Sequence, residues 1–171
     1  MAFVRTLMLL RHAKSDWDSY AGDDFARPLA ARGRKAAEQM GVWMRRDGSV
    51  PDYVISSPAV RARETVRILY EALGRDATHI GYEDSLYLAD AGALLSIVRG
   101  FPDEAKSVML VGHNPGLEEL LIYLCGESVP TAANGKLLPT ATLAQIAVVA
   151  AWRNLWRNSG RLIAITRPKD L

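Results

Sequence analysis

The chain has 171 residues, with 21 Lys+Arg against 19 Asp+Glu and a formal net charge of +2. That length suits one domain over 1–171 with a core that needs no staples, and 49% hydrophobic and 23% charged residues describe an ordinary folded globule. A balance this close to neutral, without a polybasic run, argues against a dedicated nucleic-acid binder or a membrane-surface patch.

The apolar run Ala2–Leu10 is broken by Arg5 and ends in Arg11-His12 with no small-residue cleavage site, so it is not read as a targeting segment. Its core, Leu7-Met8-Leu9-Leu10, has the continuous apolar character of a strand buried on both faces. Lys14 to Pro28 is polar, too rich in Asp and Gly to pack, and reads as a loop. From Leu29 the period changes: Gly33, Ala36, Ala37, Met40 and Met44 recur at helical steps, and Asp47-Gly48 supplies the stop.

Tyr53-Val54-Ile55 predicts a second strand, followed by Ser56-Ser57-Pro58. A second helix then places Val60, Val66, Leu69 and Leu73 inward and ends at Gly74. Thr78 to Tyr82 is a candidate third strand, Ala91 to Val98 a helix, and Val108 to Val111 another buried strand. That strand runs into Gly112-His113-Asn114-Pro115-Gly116 and a helix over Leu117 to Leu124. Asn114 fits a helix N-cap with Pro115 at the first helical position. Leu143 to Ala151 and Leu162 to Thr166 are the closing strands, with a turn at Asn158-Ser159-Gly160.

Alternating strands and helices predict an α/β fold, a mostly parallel sheet covered on both faces, closed by an antiparallel hairpin. Nothing approaches the roughly 20 apolar residues of a membrane helix. The single cysteine, Cys125, excludes an internal disulfide, reads as a small buried hydrophobe and fits a reducing, cytoplasmic setting.

Ligands of open α/β sheets bind beyond the carboxyl ends of the strands. Three strand ends carry Arg11-His12, Ser56-Ser57-Pro58 leading to Arg61, and Gly112-His113. Each alone has a bland reading: a surface Arg-His pair, a solvated helix arginine like Arg63 or Arg67, a structural histidine. Converging on one rim, two guanidiniums hold a phosphoryl group, a neutral imidazole attacks phosphorus, and a second imidazole hydrogen-bonds the oxygens as charge shifts.

Residues 1–75 carry 13 Lys+Arg and 9 Asp+Glu, whereas residues 76–171 carry 8 and 10. The modest positive excess of the first half suits a small anion, although counts of that size also arise by chance. The three histidines, His12, His79 and His113, lack the i,i+4 spacing of a helical zinc site, and adjacent arginines would repel a dication, so no metal is expected. His79 reads as structural, and Trp152 and Trp156 as packing on the sheet rather than marking a contact surface.

Leu9-Leu10-Arg11-His12-Ala13-Lys14-Ser15 resembles the Arg-His-Gly signature of the histidine phosphatase (phosphoglycerate mutase-like) superfamily. Ala13 in place of Gly, and the continuation to Trp17, resemble the branch named after the SixA phosphohistidine phosphatase. Arg27-Pro28-Leu29 with Gly33, Ser56 through Thr65, and Val111 through Gly116 agree with it in order and spacing. The resemblance implies a three-layer α/β/α sandwich, no cofactor, a phosphohistidine intermediate on His12, and a phosphate pocket completed by Arg11, Arg61 and His113, with Asn114 as a further binding residue. It implies a phosphorylated protein or a small phosphorylated molecule as partner. A leaving-group acid does not carry over; Glu83 and Asp84, and in the first loop Asp16 and Asp18, are the candidates. An unclear acid favours phosphohistidine, whose leaving imidazole needs little help, over alkyl phosphates. The short stretch between the second helix and His113 leaves no room for a large cap domain. A small-molecule phosphomonoesterase and a catalytically silent phosphate- or phosphoprotein-binding module are the rival readings.

Overall fold

The computed structural model describes residues 3–171, so Ala2 of the N-terminal apolar run lies outside the described residues. Strands β1 (Arg5–Arg11), β2 (Tyr53–Ser56), β3 (Ile80–Tyr82), β4 (Ser107–Gly112), β5 (Leu143–Val148) and β6 (Gly160–Thr166) form one sheet in the order β3-β2-β4-β1-β5-β6. The first four strands are mutually parallel; β5 runs antiparallel to β1, and β6 antiparallel to β5. Helices α1 (Ala31–Asp47) and α2 (Val60–Leu73) cover one face, and α3 (Ala91–Arg99) and α4 (Gly116–Cys125) the other.

The apolar run of β1 follows from its central place. Leu7 and Leu9 enter the core under α3 and α4, while Met8 and Leu10 enter the core under α1 and α2. Side chains alternate along a strand, so a strand covered on both faces needs apolar residues at every position. Each such burial is worth about 1.5–3 kcal/mol.

Two glycines set close approaches beside the strand ends. A Cβ at Gly33 in α1 would lie 2.1 Å from the Lys14 carbonyl oxygen, and one at Gly116 in α4 would lie 1.9 Å from that of Ala89. Any other residue would push these helices off the loops that follow β1 and precede α3.

The predicted elements agree with this architecture, with local differences. β3 begins only at Ile80, because Asp76 accepts a hydrogen bond from the Thr78 N–H at 2.9 Å and winds Ala77–His79 into a single turn that leaves His79 exposed. β5 ends at Val148, before Ala151. Val60 is half-buried, and Arg61 and Thr65 share the inner face of α2 with Val66 and Leu69. The loop before α1 does pack in part, since Ser15 and Arg27 are buried.

The capping role expected of Asn114 is not observed. α4 starts at Gly116 with Pro115 at the cap position, and the Asn114 amide donates instead to Glu118 Oε1 and the Leu138 carbonyl, both at 2.9 Å. Trp152 is fully buried, its indole N–H donating to the Ala105 carbonyl at 3.0 Å, whereas Trp156 is exposed. Cys125 is half-buried, and burial pushes its thiol up to about 11. Among the described residues no helix is long and apolar enough to cross a membrane.

Candidate active site

Sheet register builds the site. Arg11 on β1 lies opposite Gly112 on β4, and Ser56 on β2 opposite Val111. The residues that follow therefore leave the sheet at one rim, and the His12 N–H extends the ladder to the Gly112 carbonyl at 3.1 Å. The Ser57 N–H does likewise to the Val111 carbonyl at 2.9 Å. Two histidines distant in sequence thus meet, with ring centroids 5.1 Å apart.

Helix α2 is tied to the same rim through Thr65. Its buried hydroxyl donates to the Arg61 carbonyl at 2.6 Å and accepts from the Ala13 N–H at 2.9 Å. One side chain thereby fixes the residue after His12 against the helix that carries Arg61.

The resulting pocket holds about 190 Å³ and is lined by Arg11, His12, Arg61, His113 and Asn114 together with Lys14, Ser15, Trp17, Asp24, Arg27, Leu88 and Thr140. His12 Nδ1 lies 2.7 Å from the Ala13 carbonyl oxygen. A carbonyl only accepts, so Nδ1 carries the proton and Nε2 keeps its lone pair. His113 Nε2 lies 2.7 Å from the Ser57 hydroxyl, and its Nδ1 is 3.4 Å from Arg61 Nη2.

Both rings are kept neutral. Burial is the main cause, and it pulls His12 down to about 3 against the Ala13 hydrogen bond; His113, Arg61 and Arg11 add to the fall. His113 is lowered to about 4 by burial and then by Arg61, partly countered by Asp24. Burial likewise pulls Arg11 below its ordinary value, while Glu118 acts in the opposite sense.

Asp24 is the central residue that the sequence reading missed. Its carboxylate accepts from Arg61 Nη2 at 3.0 Å, from the Tyr87 hydroxyl at 2.5 Å, and from Arg27. Although partial burial opposes it, hydrogen bonds from Tyr87, Arg61 and Arg27 hold this carboxyl well below the usual carboxylate range. Arg27 in turn stacks over Trp17, 3.6 Å from the ring centroid.

The proposed acids are elsewhere. Glu83 and Asp84 are exposed and do not line the pocket; the Glu83 carboxylate accepts from Ser85 at 3.0 Å. Asp16 accepts from Ser19 and the Asp18 N–H within its own loop, and neither Asp16 nor Asp18 lines the pocket. Asn114 borders the pocket, but its donors are engaged and only its acceptor oxygen is without a protein partner. Among the described residues no three His, Cys, Asp or Glu side chains converge as a metal-ligand set.

Known proteins share this arrangement of chain. The model of the histidine phosphatase superfamily (branch 1) matches residues 7–94. An uncharacterized protein of Mycobacterium tuberculosis is 32% identical over 165 residues, covering 94% of this chain and all of its own length. A crystal structure from Agrobacterium tumefaciens, provisionally named phosphohistidine phosphatase SixA, is 34% identical with a TM-score of 0.81, covering 98% of this chain and 100% of that one. The structure of the protein histidine phosphatase SixA complexed with tungstate shares the fold at 21% identity and a TM-score of 0.80, covering 96% and 98%. The chain belongs to the histidine phosphatase superfamily, branch 1.

Proposed function

We propose that this chain is a phosphatase of the SixA kind that removes the phosphoryl group from phosphohistidine through a covalent intermediate on His12. The observation that carries the reading is the His12–Ala13 hydrogen bond at 2.7 Å, which leaves Nε2 unprotonated inside a pocket walled by Arg11, Arg61 and His113. The relative from Agrobacterium tumefaciens, with its provisional name, supports the same substrate class.

In the first step Nε2 of His12 forms a bond to phosphorus as the substrate P–N bond breaks. The bonding pair leaves on the substrate imidazole nitrogen, which takes a proton from water. Positive charge that builds on the His12 ring is stabilised by Nδ1–H on the Ala13 carbonyl. Water then attacks phosphorus, the His12–phosphorus bond breaks, phosphate leaves and neutral His12 is restored. Arg11 and Arg61 bind the equatorial oxygens. A bound phosphoryl dianion favours protonation of His113, which then donates through Nδ1 while the Ser57 hydroxyl accepts from Nε2.

Asp24 favours the labile substrate over an alkyl phosphate. Among the residues that line the pocket Asp24 carries the one carboxyl, and it is locked as an anion by three donors and is no proton source. A poor alkoxide leaving group would need one.

The test is phosphoenzyme trapping with a radiolabelled phosphohistidine peptide, and turnover of that peptide beside alkyl monophosphates. The wild type forms an acid-labile, base-stable adduct and prefers the peptide; His12→Ala forms none. Turnover unchanged in His12→Ala sinks the mechanism, equal turnover of alkyl phosphates favours the phosphomonoesterase reading, and tight phosphate binding without hydrolysis favours the silent binding module.

A further inference from the structure

A second cavity, of about 390 Å³, adjoins the catalytic pocket and shares Arg11, Lys14 and Thr140 with it. Its other charged walls are Arg32, Lys136, Arg167 and Lys169, and no carboxylate lines it. The net +4 of residues 1–75 accounts for only part of this field: Arg11, Lys14 and Arg32 come from that half, and Lys136, Arg167 and Lys169 from the half with net −2. Chain topology gathers them: β6 ends at Thr166 and leads Arg167 and Lys169 back beside α1, which carries Arg32.

The cavity also concentrates unmet hydrogen-bonding capacity. Among the described residues six buried side-chain polar atoms lack a protein partner, and four of them belong to residues that line this cavity: Arg11 Nε, Thr142 Oγ1, and Arg167 Nε and Nη2. Thr142 is fully buried. Arg167 Nη1 faces the Asp170 carboxylate at 4.0 Å, so its Nε and Nη2 remain a paired donor edge. Buried donors without partners are costly unless a ligand or water meets them, and a guanidinium edge of this kind matches an oxyanion bidentately. The edge itself is buried at the groove wall, so an anion in the groove reaches it only when the Arg167 side chain turns.

We propose that this groove is a second oxyanion subsite, so that the enzyme prefers substrates carrying a carboxylate or second phosphate beside the phosphoryl group to be removed. The phosphoryl group occupies the His12 pocket while the second anion lies among Arg32, Lys136 and Arg167, with Arg11 and Lys14 between the two. The inference rests on the phosphatase reading of the His12 pocket and adds what the substrate carries next to its reactive group.

The test compares kcat/KM on paired substrates. One pair is a phosphohistidine peptide with acidic flanks against the same peptide with alanine flanks; the other is an alkanediol bisphosphate against its monophosphate; phosphoramidate is the substrate without a second anion. Wild type prefers the anionic member of at least one pair by about tenfold or more, as one charge-assisted contact permits, and the pair that shows it tells a carboxylate from a phosphate. Arg167→Ala and, separately, Lys136→Ala shrink that preference several-fold with phosphoramidate turnover unchanged. Lys136 is on the surface, so its replacement keeps the test open if Arg167→Ala fails to fold. No preference in wild type on either pair, or equal losses on all substrates in the variants, overturns the subsite. Failure of the phosphohistidine reading is recognised separately, as no turnover of either peptide, and the bisphosphate pair then still decides the groove.

Discussion

Asp24 closes on Arg61 twice, its carboxylate 3.0 Å from Nη2 and its backbone carbonyl 2.7 Å from Nη1. The arginine is buried and the aspartate is partly open to solvent. On the proposed function Asp24 is therefore an internal stand-in for the anion that Arg61 would bind, and an arriving phosphoryl group competes with it.

Removing that competitor has a defined sign. Asp24→Asn leaves the Arg61 and Arg27 guanidiniums without their carboxylate, so inorganic phosphate should bind more tightly and inhibit more strongly, by about three- to tenfold for one charge at a partly solvated site. Competitive inhibition by phosphate measures it. Weaker phosphate binding would mean that Asp24 positions Arg61 more than it competes for it.

Replacing Arg61 itself removes the donor. Arg61→Ala should lower kcat by about 10²–10³-fold through lost stabilisation of the transition state. Arg61→Lys should recover only part of this, because a point charge cannot reproduce the planar fork that holds two oxygens. Single-turnover phosphoryl transfer to His12 separates this loss from slower product release.

The buried histidines set a pH dependence of stability. Their folded values of about 3 for His12 and about 4 for His113 lie below the ordinary value near 6.5. Between those limits the unfolded chain binds more protons than the folded one. Stability is therefore complete above pH 6.5 and falls as pH drops below it, each ring contributing up to about 1.4 kcal/mol per pH unit until its folded value is reached. Denaturant unfolding at pH 7 and pH 5 should show this loss, and neither imidazole should titrate between those pH values by NMR. A flat stability over that interval would show that neither ring is held neutral by the fold, since either one alone would leave a slope.

Thr65 offers a test of positioning at nearly constant volume. Thr65→Val leaves the buried Ala13 N–H without its acceptor, at a cost of about 1–3 kcal/mol. It also frees the residue after His12 from α2. We expect a lower Tm together with a fall in kcat larger than any change in KM; Thr65→Ser, which retains the hydroxyl, should restore kcat.

Much of the fold was legible because burial leaves periodic marks. The unbroken apolar run of β1 and the three- and four-residue steps of α1 each reflect the faces they bury. His12, Arg61 and His113 were legible because strand ends in a parallel sheet share a rim. Asp24 was not: it sits among Asp16, Asp18 and Asp23 in an aperiodic loop, and only the folding of that loop onto α2, where the Val60 N–H meets the Phe25 carbonyl at 3.0 Å, selects it. Thr65 did leave a trace, a polar residue four positions after Arg61 on an otherwise apolar inner face. Asn114 misled because Asn before Pro has the form of a cap, while Glu118 and the Leu138 carbonyl take up its amide.

The pairing of β1 with β4 places Thr6 opposite Ser107 and Arg11 opposite Gly112. Contacts of such long sequence separation form late and slowly, since on the order of 100 residues of chain must be gathered first. A nascent chain therefore carries His12 long before His113 is available to wall the pocket around it. On the proposed function, phosphoryl transfer then requires the β1–β4 pairing at the centre of the sheet, and a chain cut short before β4 has His12 without the His113 wall of its pocket.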